Sequence, residues 1–274
     1  LLVLAGGAAA LVLRLAQRAT GFEADTGLPV PGSIPAAALA VWFLVLAAVC
    51  ILAARAWLPA DGDGSSPLFP DGFSTASAGL LTPAVMGIFL LAASGALDLV
   101  SGLGDRVPVL TGGDVAVTYV YGFEPGCSSL FSPKEHILVG LLSLLSAVCL
   151  FPAVPACRHH PSGERKPFQG ALLLVPVCCL VVRLVLTYRA VSVDPSLADY
   201  YPELLAVVFL TLAFYRLSSF AFRAGRTRRF AVYAALAIAF CLATLADRPD
   251  PARLLFYLGG AVTLFGFLLQ YHPQ

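Results

Sequence analysis

The 274-residue chain contains no asparagine, which removes every N-glycosylation acceptor. Lysine is nearly absent as well, with 2 residues against 15 arginines, a bias that fits GC-rich coding. Charged residues of all kinds make up only 12% of the chain, whereas soluble domains carry about 25%. A soluble globular protein is therefore excluded. Basic and acidic residues almost cancel, at a net +1, which excludes nucleic acid or another polyanion as a partner. The 7 cysteines form no CxxC pair, and only Cys127 sits in a long polar loop, against a disulfide framework. The phosphate-cradling GxxxxGK[ST], the zinc-binding HExxH and the nucleophile elbow GxSxG are all missing. Nothing here implies a cofactor, a metal or an enzymatic activity.

What remains is apolar. Hydrophobic residues reach 59% and mean hydropathy is +0.86. Windows of about 20 residues are apolar all round, the length that crosses a hydrocarbon core of about 30 Å. The fold class is therefore an all-α polytopic membrane protein, a single transmembrane domain whose surrounding partner is the lipid bilayer. Eight helices are expected at 1–19, 36–57, 79–101, 135–155, 169–190, 201–220, 229–246 and 252–271. The opening run reads as a first membrane helix rather than a signal peptide, because Arg14 and Arg18 follow it without a cleavage signature. Residues are expected before Leu1, which is not a methionine. Gly6, Gly7, Ala10, Ala93, Gly95 and Ala96 suit close helix contact in lipid.

The loops set the expected orientation. Arg158, Arg165 and Lys166 lie in one loop, and Arg223, Arg226, Arg228 and Arg229 in another of the same parity. Both are expected in the cytoplasm, with both termini and in the cell membrane. The 102–134 loop is the longest. Its RVPVL and DVAVTYVY runs flank Thr111-Gly112-Gly113, a β-hairpin signal in a loop expected to face outward. The acidic LPADGDGSSPLFPDGFS loop reads as a solvated linker, since it lacks the closing Glu of a calcium-binding loop. Cys157, His159 and His160 form a CxHH cluster that lacks a further ligand at zinc spacing.

The ionisable residues inside apolar segments carry most of the functional information, because such groups are costly in lipid. Arg14, Asp98, Glu135, His136, Arg183 and Glu203 come from several helices yet share one depth, the outer third of the bilayer. Opposite charges at one depth invite pairing: Asp98 or Glu203 with Arg183, and Arg14 completing the network. These six are the candidate ligand-binding residues for a small polar or ionic ligand. Some have plainer explanations. Glu203 follows Pro202 and reads as a helix start, with the acid stabilising the helix dipole. Arg183 lies about two turns from its helix end and has no such explanation.

Two stretches carry a resemblance. Tyr188-Arg189, Ser192, Asp194-Pro195 and the Tyr-x-x-Glu-Leu-Leu-Ala run at 200–206 resemble uncharacterised multi-pass membrane proteins of Gram-positive bacteria. The Phe-Glu-x-Asp-Thr-Gly-Leu run at 22–28 is similar to their first outer loop. The resemblance implies the helix layout and a bacterial membrane, and no activity. The expected function is structural, sensory or accessory, with a permease for a small polar ligand as the alternative.

Overall fold

The computed structural model describes residues 2–22, 30, 33–58, 69–75, 77–104, 132–158, 169–192, 197–247 and 249–271. The helices are α1 (Leu2–Thr20), α2 (Ile34–Trp57), α3 (Ala78–Gly104), α4 (Pro133–Leu150), the single turn α5 (Ala153–Ala156), α6 (Leu174–Val191), α7 (Leu197–Ser219), α8 (Thr227–Thr244) and α9 (Pro251–Gln270). Among the described residues, 8 segments are long and apolar enough to cross a membrane, the fourth running from α4 through α5. The expected spans are thus present. The short ADRPDP turn is enough to separate the last two, because Asp250 precedes the helix and Pro251 opens it. No strand occurs among the described residues, and the expected β-hairpin lies at 105–131, outside them.

One boundary corrects an expectation. α7 begins at Leu197, so Pro202 stands inside the helix and Glu203 beyond its first turn. Glu203 therefore does not serve as a helix-start acid.

α3 packs mainly on α9 and α4, while α8, the most buried of the spans, lies among α1, α7, α9 and α2. Glycine sets how closely the helices approach. A Cβ on Gly95 would fall 2.7 Å from the carbonyl oxygen of Gly140 in α4, and one on Gly87 would fall 2.4 Å from the backbone nitrogen of Thr263 in α9. Gly87 and Gly95 are eight residues apart, a rotation of about 80° at 100° per residue. That offset turns one glycine toward α9 and the next toward α4. Ala93 and Ala96, expected at contacts, are exposed instead.

The expected solvated linker is also corrected over its second half. The chain re-enters the bundle at 69–75, where Phe73 is fully buried. Its ring makes edge contacts with Phe220, Phe230, Phe267 and Tyr271, at centroid distances of 5.3–6.1 Å. Phe69 N–H donates to the Phe220 carbonyl at 3.2 Å, and Thr75 N–H to the Cys157 carbonyl at 3.0 Å. Residues 59–68 of that loop lie outside the described set. The aromatic plug closes the end of the bundle opposite Asp98.

Candidate functional site

The α3–α4 seam builds the first part of the site. Because Gly95 meets Gly140, and Gly102 meets the Pro133 carbonyl, the two helices run nearly in backbone contact at this end. Asp98 on α3 and His136 in the first turn of α4 then face each other. His136 Nδ1 lies 3.0 Å from Asp98 Oδ1, with Asp98 fully buried and His136 7% exposed. With Nδ1 protonated the imidazole donates to the carboxylate.

Arg183 approaches the same carboxylate from α6, its Nη1 3.9 Å from Asp98 Oδ2. The guanidinium carbon sits 3.5 Å over the ring of Phe256 on α9, a cation–π contact away from water. A buried arginine cannot shed its charge, so the carboxylate and the ring face share the task of holding it.

The neighbouring residue on α9 opens the second part. Tyr257 O–H donates to Glu203 Oε1 at 2.9 Å, and Arg253 Nη1 reaches the same oxygen at 3.3 Å. Arg253 Nε also donates to Asp250 Oδ1. Arg253, Phe256 and Tyr257 are spaced i, i+3 and i+4, so all three project from one face of α9. Glu203 and Arg183 are thus both held on that face, and Asp98 is reached through Arg183.

The third part is separate. Arg14 is fully buried and donates through Nε to Asp247 Oδ1 at 2.8 Å and through Nη1 to Gln17 Oε1 at 3.0 Å. Arg18 stands 3.8 Å from the same Asp247 oxygen. Asp247 belongs to the turn between α8 and α9, so α1 is fastened there. Glu135 has a local role: its Oε2 accepts from Ser132 N–H and from Ser132 Oγ–H, both at 2.9 Å, in a capping box that starts α4. Its other oxygen lies 3.9 Å from the exposed Arg189.

All six expected residues therefore gather at one end of the bundle. Asp98, His136 and Arg183 meet directly, Glu203 joins them through α9, Arg14 is held at the α8–α9 turn, and Glu135 caps a helix. The expected pairing of Arg183 is realised with Asp98, while Glu203 is bound by Arg253 and Tyr257. Those last two residues escaped the sequence reading. Their signal was the acid–base pair Asp250 and Arg253 at i and i+3, with an arginine one turn inside an apolar span.

A cavity of about 20 Å³ lies beside Arg183, lined also by Ser143, Ser146, Cys179 and Phe256. That is room for about one water molecule. Compared with protein families, with curated proteins and with solved structures, the chain matches none.

At the opposite end, Cys157 of the CxHH cluster is fully buried, and burial pushes its thiol up to about 12. Near neutral pH the group is a protonated thiol, which is neither nucleophile nor metal ligand. His159 and His160 lie outside the described residues. In the folded protein at pH 8, Cys157 is expected to resist N-ethylmaleimide and to react only after denaturation. Peptide mapping by mass spectrometry checks this; modification of the native protein within minutes would contradict the buried placement.

Proposed function

We propose that this is a structural or sensory membrane protein whose polar cluster locks one end of the helical bundle beneath its outer loops. The observation that carries the reading is mutual engagement. Arg14 with Asp247, Glu203 with Arg253 and Tyr257, and Asp98 with His136 and Arg183 bind one another, and the cavity beside Arg183 measures about 20 Å³. A ligand that used these side chains would have to displace these contacts. The reading keeps the expected orientation, with the Asp98 end outward and both termini cytoplasmic. The arginines at 223 and 226, in the α7–α8 turn, and at 228 and 229, in the first turn of α8, stand at the other end and support it.

Reconstitution tests it. Liposomes containing the purified protein are expected to take up amino acids, sugars, sodium ions and protons no faster than empty liposomes. Uptake that is saturable and abolished by Arg183→Lys would overturn the proposal.

A second reading, a permease for a small ion, has one observation in its favour. Asp98 Oδ2 and Ser94 Oγ, one turn apart on α3, are buried without a hydrogen bond among the described residues. Ser143 and Ser146 continue the buried polar groups past Arg183 toward the middle of the bundle. Proton or sodium flux sensitive to Asp98→Asn in the same liposomes would favour this reading.

A further inference from the structure

The α7–α8 reversal is a short, strongly basic turn with a fixed shape. α7 ends at Ser219, a 3₁₀ turn follows over Phe220–Phe222, and Arg223 takes a left-handed conformation with φ 57° before α8 starts at Thr227. Spans flank it on both sides, Tyr201–Phe222 and Thr227–Asp247, so it lies at a membrane surface whichever way the protein faces. Phe220 anchors the turn in the aromatic plug around Phe73. Gly225 passes directly over the Phe220 ring: a Cβ there would fall 2.1 Å from it. The turn is thereby held rather than left to sweep through solvent.

Five arginines collect around it. Arg223, Arg226 and Arg229 are exposed. Arg228 reaches across to α2, donating from Nε and Nη2 to the Leu58 carbonyl at 3.1 and 2.9 Å, and from Nη2 to the Arg55 carbonyl at 3.3 Å. This contact clamps the end of α2 beside the turn and brings the exposed Arg55 with it. Against them, the first turn of α8 holds no acid. Asp71, on the segment that carries Phe73, is the acidic residue described at this end.

We propose that this turn is a docking surface for anionic phospholipid headgroups of the adjoining leaflet, with Arg226 and Arg229 as its principal contacts. Three observations converge on a phosphodiester headgroup as the occupant: the depth at the span ends, the excess of arginine over acid, and the rigid backbone. Arginine binds phosphate through its planar fork of donors. Clusters of about four to eight basic residues flanking a span are the usual footprint of anionic-lipid binding. The charge count alone would suit any cytoplasmic loop. What goes beyond it is the clamp on α2 and the anchored turn, which hold the arginines together before any lipid arrives.

The test is thermal unfolding of the purified full chain in nanodiscs of phosphatidylcholine alone or with phosphatidylglycerol added. The wild-type midpoint is expected to rise by several degrees with phosphatidylglycerol. Arg226→Gln/Arg229→Gln is expected to lose at least half of that rise while keeping the wild-type midpoint in phosphatidylcholine. The single variants, each losing a share, carry the test if the double variant does not accumulate. Arg189→Gln, an exposed arginine at the other end, is expected to keep the full rise. An equal loss in Arg189→Gln would show bulk charge attraction and overturn the proposal. So would a rise unchanged in the double variant, or no rise in the wild type. Inorganic phosphate in phosphatidylcholine nanodiscs is expected to give no rise; a rise equal to that with phosphatidylglycerol would assign the site to a soluble anion instead.

Discussion

Replacing Asp98 with alanine is expected to lower the thermal midpoint of the detergent-solubilised protein by about 10 °C. Removing one partner of a buried ion pair costs about 3–5 kcal/mol, and each kcal/mol corresponds to a few degrees in a chain of this size. Asp98 is fully buried, accepts from His136 across the α3–α4 seam and faces Arg183 at 3.9 Å. Its loss therefore acts on three helices at once. Arg183→Met should cost less, although it removes the other member of the pair. The reason is the asymmetry of the two ions. A carboxylate left beside an imidazole can share a proton with it, whereas a guanidinium cannot lose its own. The double variant Asp98→Ala/Arg183→Met should then recover much of the loss, since apolar replacement of a whole buried pair is often neutral. A double variant as unstable as Asp98→Ala alone would mean that the damage lies in packing. Unchanged stability in Asp98→Ala would remove this pair from the structural account and strengthen the permease reading.

The expected spans and the observed helices agree because the signal that defines them is local and repeated. Windows of about 20 apolar residues leave the backbone no partner but itself. The common depth of the six candidates was legible for the same reason, since depth follows from distance along a span. Partner choice was not, because it depends on how each helix is rotated and on which helices are neighbours. Glu203 shows the difference: beside Pro202 it looked like a helix start, yet α7 extends to Leu197 and the acid binds Arg253 and Tyr257. Arg14 shows it again, since its partner Asp247 lies in the turn between the last two spans, far away along the chain. The 69–75 segment failed for another reason. Its Gly, Pro and Ser content masked Phe69 and Phe73, whose aromatic area was the better guide to burial.

The glycines of α3 offer the sharpest contrast between identical substitutions in a single helix. Gly87→Ala is expected to destabilise the protein by about 3 kcal/mol, the upper part of the range for overpacked cores. The new Cβ would stand 2.3 Å from Thr263 Oγ1, 2.4 Å from the Thr263 backbone nitrogen and 2.7 Å from the Gly259 carbonyl oxygen. A side chain can rotate away from such a contact, but the backbone of α9 cannot move without opening its packing on α3. Nearby, Gly259 and Gly266 press on α3 in return, at Leu91 and Ala84, so a shift at one point is resisted along the seam. Gly79→Ala is the control. Its Cβ would meet only Ser77 Oγ, at 3.7 Å, and alanine is the better helix former by roughly 1 kcal/mol. Gly79→Ala should therefore leave the midpoint unchanged or raise it slightly, while Gly87→Ala lowers it by several degrees. Equal midpoints for the two variants would mean that α3 and α9 are not in backbone contact. In that case Phe256 and Tyr257 would lose the support that aligns them with Arg183 and Glu203.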